Sequence, residues 1–159
     1  MNATPTDAAV VLTAEDRLGI ADALYRLGAG IDEASDTLLA SAFTADAAVD
    51  FGPAARAMGV EFPPLAGRDA TASTLVATVG KLDTTHTVSN PRITVEGGRV
   101  VLRALVEAAH FPPGDRSRRC VMHNRYTADM RREDGAWRIA SVDVQCAWFD
   151  GDPQVLLGQ

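Results

Sequence analysis

The chain has 159 residues, a formal charge of −6, a pI near 4.9 and 47% hydrophobic residues. That describes one globular domain long enough to enclose both a core and a cavity. The acidic balance excludes an extended nucleic-acid groove, which needs a basic footprint. No apolar run approaches the ~20 residues of a bilayer span.

Residues 1–12 read as a flexible arm, with no basic segment leading into an apolar one, so the cytoplasm is the expected compartment. The domain is expected over 13–149, and 150–159 read as a tail. Thr13-Ala14-Glu15-Asp16 resembles a capping box with Asp at the third helical position. The helix it opens carries Leu24, Leu27 and Ile31 on one stripe. A neighbouring stripe reads Ala21, Tyr25, Gly28, Asp32 and leaves room for close packing or a ligand. Leu38–Phe43 suggests a second short helix, Ala47–Phe51 a first strand, Ala54–Leu65 a loop and Gly67–Lys81 a third helix.

The second half changes period. Thr85–Val95, Val100–Phe111, Cys120–Arg132 and Trp137–Phe149 read as long strands, with Gly97-Gly98 and Asp134-Gly135 as tight hairpin turns. Helices followed by an antiparallel meander give an α+β domain. Cys120 and Cys146 lack metal-ligand spacing and read as reduced strand residues. Arg116, Arg118 and Arg119 follow a Pro-Pro-Gly turn, and serve either as an anion contact at a pocket mouth or as a solvated tip.

Alternation places polar groups on faces that are otherwise apolar. Val100, Leu102, Ala104, Val106, Ala108 and His110 share one face of their strand. His86, Val88 and Asn90 share one face of the preceding strand. Cys120, Met122, Asn124, Tyr126, Ala128 and Met130 form the inward face of the next, which turns His123 outward. A bulge after Ser141 would decide which of Asp143 and Gln145 faces inward. Singly, each has a plain structural reading: a strand histidine satisfied in the core, or an aspartate that ends its helix. Their coincidence on one inferred cavity raises them above that.

Four segments carry a family resemblance: Gly30-Ile31-Asp32 ending the first helix, Phe43 to Phe51 entering the first strand, Thr85 to Pro91, and Asp134 to Ile139. With them the chain resembles the SnoaL-like members of the NTF2-like superfamily, in the branch containing scytalone dehydratase and bile acid 7α-dehydratase. The resemblance implies a cone-shaped fold, with N-terminal helices packed on a strongly curved, mostly antiparallel sheet enclosing one pocket. It also implies a homodimer, with the sheet face around Arg103, Arg125 and Asp129 as one interface. Asp32, His86, His110 and Asn124 occupy the places of the dehydratase pattern, whereas its carbonyl-holding tyrosines have no clear match here.

On that resemblance, Asp32, His86 and His110 are the expected catalytic residues of a cofactor-independent dehydratase acting on a hydrophobic hydroxy ketone. His86 would be the base, and an Asp32–His110 pair would relay a proton to the leaving oxygen. Tyr25, Asn124, Tyr126 and Met122 would bind substrate. An isomerase or cyclase of a polyketide- or steroid-like ketone, and a noncatalytic small-molecule binder, are the alternatives. Two histidines and an aspartate suit a metal such as iron, but no close sequence pairing supports one, so neither metal nor cofactor is expected.

Overall fold

A computed structural model describes residues 10–158. The expected arm falls mostly on residues 1–9, outside that range. Helix α1 (Ala14–Asp32) begins at a capping box: the Thr13 hydroxyl accepts from the Asp16 amide, and the Asp16 carboxylate accepts from the Thr13 amide. Asp16 also accepts from the Trp137 indole at 2.9 Å and from Arg132 at 2.6 Å, tying the start of the helix to the last hairpin. Ile20, Ala23, Leu24, Leu27 and Ile31 form the buried stripe of α1.

Helix α2 (Asp36–Ala42) follows, capped by Ser35, and leads into strand β1 (Phe43–Asp50). The helix and strand thus meet at Phe43, four residues before the expected strand start, because Phe43 and Thr44 are fully buried by the sheet. The segment expected as loop instead opens with helix α3 (Gly52–Ala57), where Pro53 sits in the first turn and removes a donor the helix could not pair. Strand β2 (Leu65–Ala66) is short. The expected third helix divides into α4 (Arg68–Ala77) and a 3-10 turn at Val79–Lys81, broken at Thr78, whose hydroxyl bonds back to the Thr74 carbonyl at 2.7 Å.

Four long strands complete the sheet: β3 (Asp83–Glu96), β4 (Arg99–Phe111), β5 (Cys120–Glu133) and β6 (Ala136–Gly151). The strand order is β2-β1-β6-β5-β4-β3, antiparallel except for the β1–β6 pair, so the sheet is open at β2 and β3. Positive φ at Gly97 and Gly98, and at Asp134 and Gly135, forms the two expected hairpin turns. Irregularities curve the sheet. Asn90, at φ +52°, lies where the β3–β4 register shifts. In β6 the pairing with β5 skips Ala140 and Ala147. Val142 and Val144 are therefore buried inside, and Asp143 and Gln145 lie on the outer face opposite Thr127 and Arg125.

The inward rows match the alternation. Val100 through His110 on β4 and Cys120 through Met130 on β5, taken every second residue, are all buried. The helices cover this inner face. Outside, His123 stacks on Trp148 with ring centroids 3.6 Å apart, Arg103 pairs with Glu96, and Arg99 pairs with Asp129. Both cysteines are free thiols. No helix among the described residues is long and apolar enough to cross a membrane.

Candidate active site

A cavity of about 620 Å³ lies between the inner sheet face and the helices, with mostly apolar walls. His86, His110, Asn124, Tyr126 and Met122 all line it. Glu61 and Lys81, both exposed, also line it and stand at its rim.

Helix α1 ends at Asp32, close to the start of β3, and delivers its carboxylate to that strand. The Asp32 Oδ1 lies 2.6 Å from His86 Nδ1 and accepts from the Thr84 hydroxyl at 2.8 Å, while Oδ2 accepts from the His86 amide at 2.8 Å. Burial pushes the Asp32 carboxyl up, but the bonds from the His86 ring and amide, its charge and Thr84 outweigh it, and the net value falls below the ordinary one. An ionised carboxylate only accepts, so His86 Nδ1 carries a proton, and Nε2 is the ring nitrogen left free of Asp32. The His86 side chain is 5% exposed.

His110 is placed differently from expectation. It makes no pair with Asp32; its Nδ1 faces the Cys120 carbonyl at 3.3 Å, and its ring meets His86 edge-on, with centroids 5.8 Å apart. The reason is strand position: Thr84 of β3 lies opposite His110, and His86 lies two pairs further along at Ala108. The helix end reaches β3 at the edge of the sheet, and β4 lies one strand inward. Burial foremost, then the charge of His86, lowers the His110 imidazole to about 4 against the opposing pull of the Cys120 carbonyl and Asp32. It is therefore neutral near pH 7, a hydrogen-bond acceptor at Nε2 and a poor acid.

Asn124 is 3% exposed, and its Oδ1 has no hydrogen-bond partner among the described residues. Tyr126 is buried, which raises its phenol and keeps it a protonated donor. Tyr25 does not join them: it is 46% exposed and outside the cavity lining. It shares the stripe of Asp32 but lies seven residues, about two turns, before it on α1, away from the helix end that meets His86. Arg116, Arg118 and Arg119 are each paired with an aspartate, Asp83, Asp152 and Asp150 respectively.

Other participants had no clear sequence signal. Thr84 could be found only from its place two residues before His86, on the same face. Phe62 and Pro63 line the cavity from a segment without periodicity. Leu156 and Leu157 line it from a C-terminal 3-10 turn (Pro153–Leu157). Asp152 caps that turn and pairs with Arg118 at 2.6 Å.

Residues 12–143 match the family described as SnoaL-like domain. The chain belongs to the SnoaL-like family. Its curated relatives include the terrestric acid biosynthesis cluster protein E of Penicillium crustosum, 26% identical over 144 residues that cover 86% of each protein. SnoaL-like architecture is also seen in solved structures. One is a candidate scytalone dehydratase from Novosphingobium aromaticivorans, with TM-score 0.70 and 21% identity over 86% of this chain and 87% of that one. Another is a type 2 hexachlorocyclohexane dehydrochlorinase, LinA, with TM-score 0.69 and 20% identity over 86% and 88%. These two likenesses concern the NTF2-like fold.

Proposed function

We propose that the protein is a cofactor-independent lyase that dehydrates a hydrophobic cyclic, polyketide- or steroid-like hydroxy ketone, with His86 as its base. The observation that carries this reading is the Asp32–His86 dyad at 2.6 Å, whose histidine lines a mostly apolar cavity large enough for such a molecule. The names of the two solved relatives, a dehydratase and a dehydrochlorinase, support an elimination.

His86 Nε2 takes the proton from the carbon beside the substrate carbonyl, and the C–H electrons pass into an enolate. Asp32 holds the ring in its Nδ1–H tautomer and stabilises the imidazolium that forms. The enolate collapses to a carbon–carbon double bond and expels the hydroxyl, which takes the proton from His86 Nε2–H and leaves as water. One imidazole thus serves both steps on one face of the substrate. This replaces the expected Asp32–His110 relay. The Tyr126 hydroxyl and the Asn124 amide donate toward the carbonyl oxygen, while His110 Nε2 and Asn124 Oδ1 accept from substrate hydroxyls. Met122 contributes apolar wall.

The neutral state of His110 favours one second reading. With no separate charged acid beside the base, His86 could return its proton to carbon and act as an isomerase or cyclase on a similar ketone. A mass-resolved screen of hydroxylated aromatic, polyketide and steroid ketones with wild type and His86→Ala separates these outcomes. Loss of 18 mass units with wild type alone supports dehydration; turnover at unchanged mass selects the isomerase or cyclase. Equal conversion by both proteins removes His86 from the chemistry, and binding without conversion leaves a small-molecule binder. Self-association through the outer sheet face, where Leu105 and Trp148 are exposed, belongs to the same reading and is tested by sedimentation.

A further inference from the structure

Gly28 lies one helical turn before Asp32, on the face of α1 that meets β3. A Cβ built there would stand 3.0 Å from the His86 Cβ, 3.9 Å from its Cγ and 4.0 Å from its carbonyl oxygen. Such a Cβ–Cβ approach is closer than side chains ordinarily tolerate, and the obstructing atom is the root of the imidazole, unable to swing aside as the end of a long chain would. Glycine weakens a helix interior relative to alanine, so its presence in the fourth turn of α1 needs a packing reason. Gly30 has a different one: its Cβ would meet Leu39 of α2 at 2.7 Å, away from the site.

We propose that Gly28 is a positioning residue, whose missing side chain sets the distance between α1 and β3 at which Asp32 grips His86. The grip is two-sided, since Asp32 holds both the ring and the amide of His86. An added methyl group presses on the atom between those two points. The ring and the amide cannot both stay in register with the carboxylate while Cβ moves by a few tenths of an ångström. The role rests on the dyad invoked for catalysis but is read without any substrate.

The experiment is proton–nitrogen NMR on protein labelled at its three histidines, with the His86 Nδ1–H signal assigned by its loss in His86→Gln. Wild type is expected to show this proton at low field and protected from solvent. Gly28→Ala moves it upfield and speeds its exchange, while Gly19→Ala leaves it in place. Gly19 is on the same helix but contacts Trp137, at 3.3 Å from its would-be Cβ. With a substrate from the screen, Gly28→Ala lowers kcat about tenfold and leaves KM within about twofold, as a small misplacement of a reacting group should. An unmoved signal in Gly28→Ala overturns the positioning role alone. So does a Gly28→Ala protein that fails to fold, because the strain is then borne by the whole helix and not at His86. If wild type itself lacks a low-field proton that depends on His86, the dyad fails, and the positioning role and the base mechanism fail together.

Discussion

The rings of His86 and His110 meet edge to face at 5.8 Å, yet only His86 touches a carboxylate. Two histidines that look equivalent along their strands thereby stand in different surroundings. Asp32 holds the Nδ1 edge of one. Burial keeps the other neutral.

Asp32→Asn tests the first assignment. The amide can offer His86 Nδ1 an N–H where the carboxylate accepted, which favours the wrong tautomer, so kcat should fall by about 10²–10⁴. Circular dichroism should stay unchanged. A variant retaining more than a tenth of wild-type kcat would remove Asp32 from the mechanism.

His110 predicts a pH dependence of stability. Its folded-state value is lowered to about 4, so between about pH 6.5 and 4 the unfolded chain binds a proton that the folded chain does not. The stabilisation from neutral His110 is complete above that window and is lost as pH falls through it, by on the order of 3 kcal/mol. Thermal melts of wild type and His110→Gln across the window should therefore converge as the pH drops. Parallel curves would contradict a buried neutral His110.

The unpartnered Oδ1 of Asn124 makes a signed prediction. A buried acceptor without a donor costs about 1–3 kcal/mol. Asn124→Leu, with the same branching and number of heavy atoms, should keep or raise Tm while lowering kcat/KM at least about tenfold, since a substrate hydroxyl loses its acceptor. A fall in Tm of several degrees would mean that the amide is a structural group.

Gly151 ends β6 at φ +96°, and a Cβ there would lie 2.1 Å from the Arg119 carbonyl oxygen. The next amide, of Asp152, donates to that same carbonyl at 2.7 Å. Gly151→Ala should therefore detach the Pro153–Leu157 turn that lines the cavity, at a cost of about 1–3 kcal/mol. Limited proteolysis should cut the variant near its C-terminus before wild type. Identical digestion would show that the turn tolerates the strain.

The inner faces of β4 and β5 were legible residue by residue because alternation has a period of two, whereas the register shifts in β3 and β6 hid Asn90 and the inward face of the last strand. Val100 to His110 and Cys120 to Met130 are buried as that rule requires, and the hairpins fall on Gly97-Gly98 and Asp134-Gly135, where positive φ is needed. The helical periodicity of α1 likewise placed Leu24, Leu27 and Ile31 in the core. It placed Tyr25 and Asp32 on one stripe, but they lie seven residues, about two turns, apart along the axis. Only the end of the helix brings its stripe onto His86, so Asp32 reaches β3 while Tyr25, two turns earlier, is left half-exposed. The α3 helix and the C-terminal turn were missed because five or six residues carry too little periodicity to register.

What the sequence determined by itself was the inward rows of β4 and β5 and the core stripe of α1, since the parity of an unbroken strand and the stripe of a helix are local properties. The pairing of the polar groups was decided only by tertiary structure. Asp32 reaches His86 and not His110 because the end of α1 packs on the edge strand β3, at a separation that Gly28 permits. The same packing buries His110 one strand further in, out of reach of Asp32, and keeps it neutral. Distances between elements and the burial they create depend on the whole fold, and no spacing along the chain encodes them.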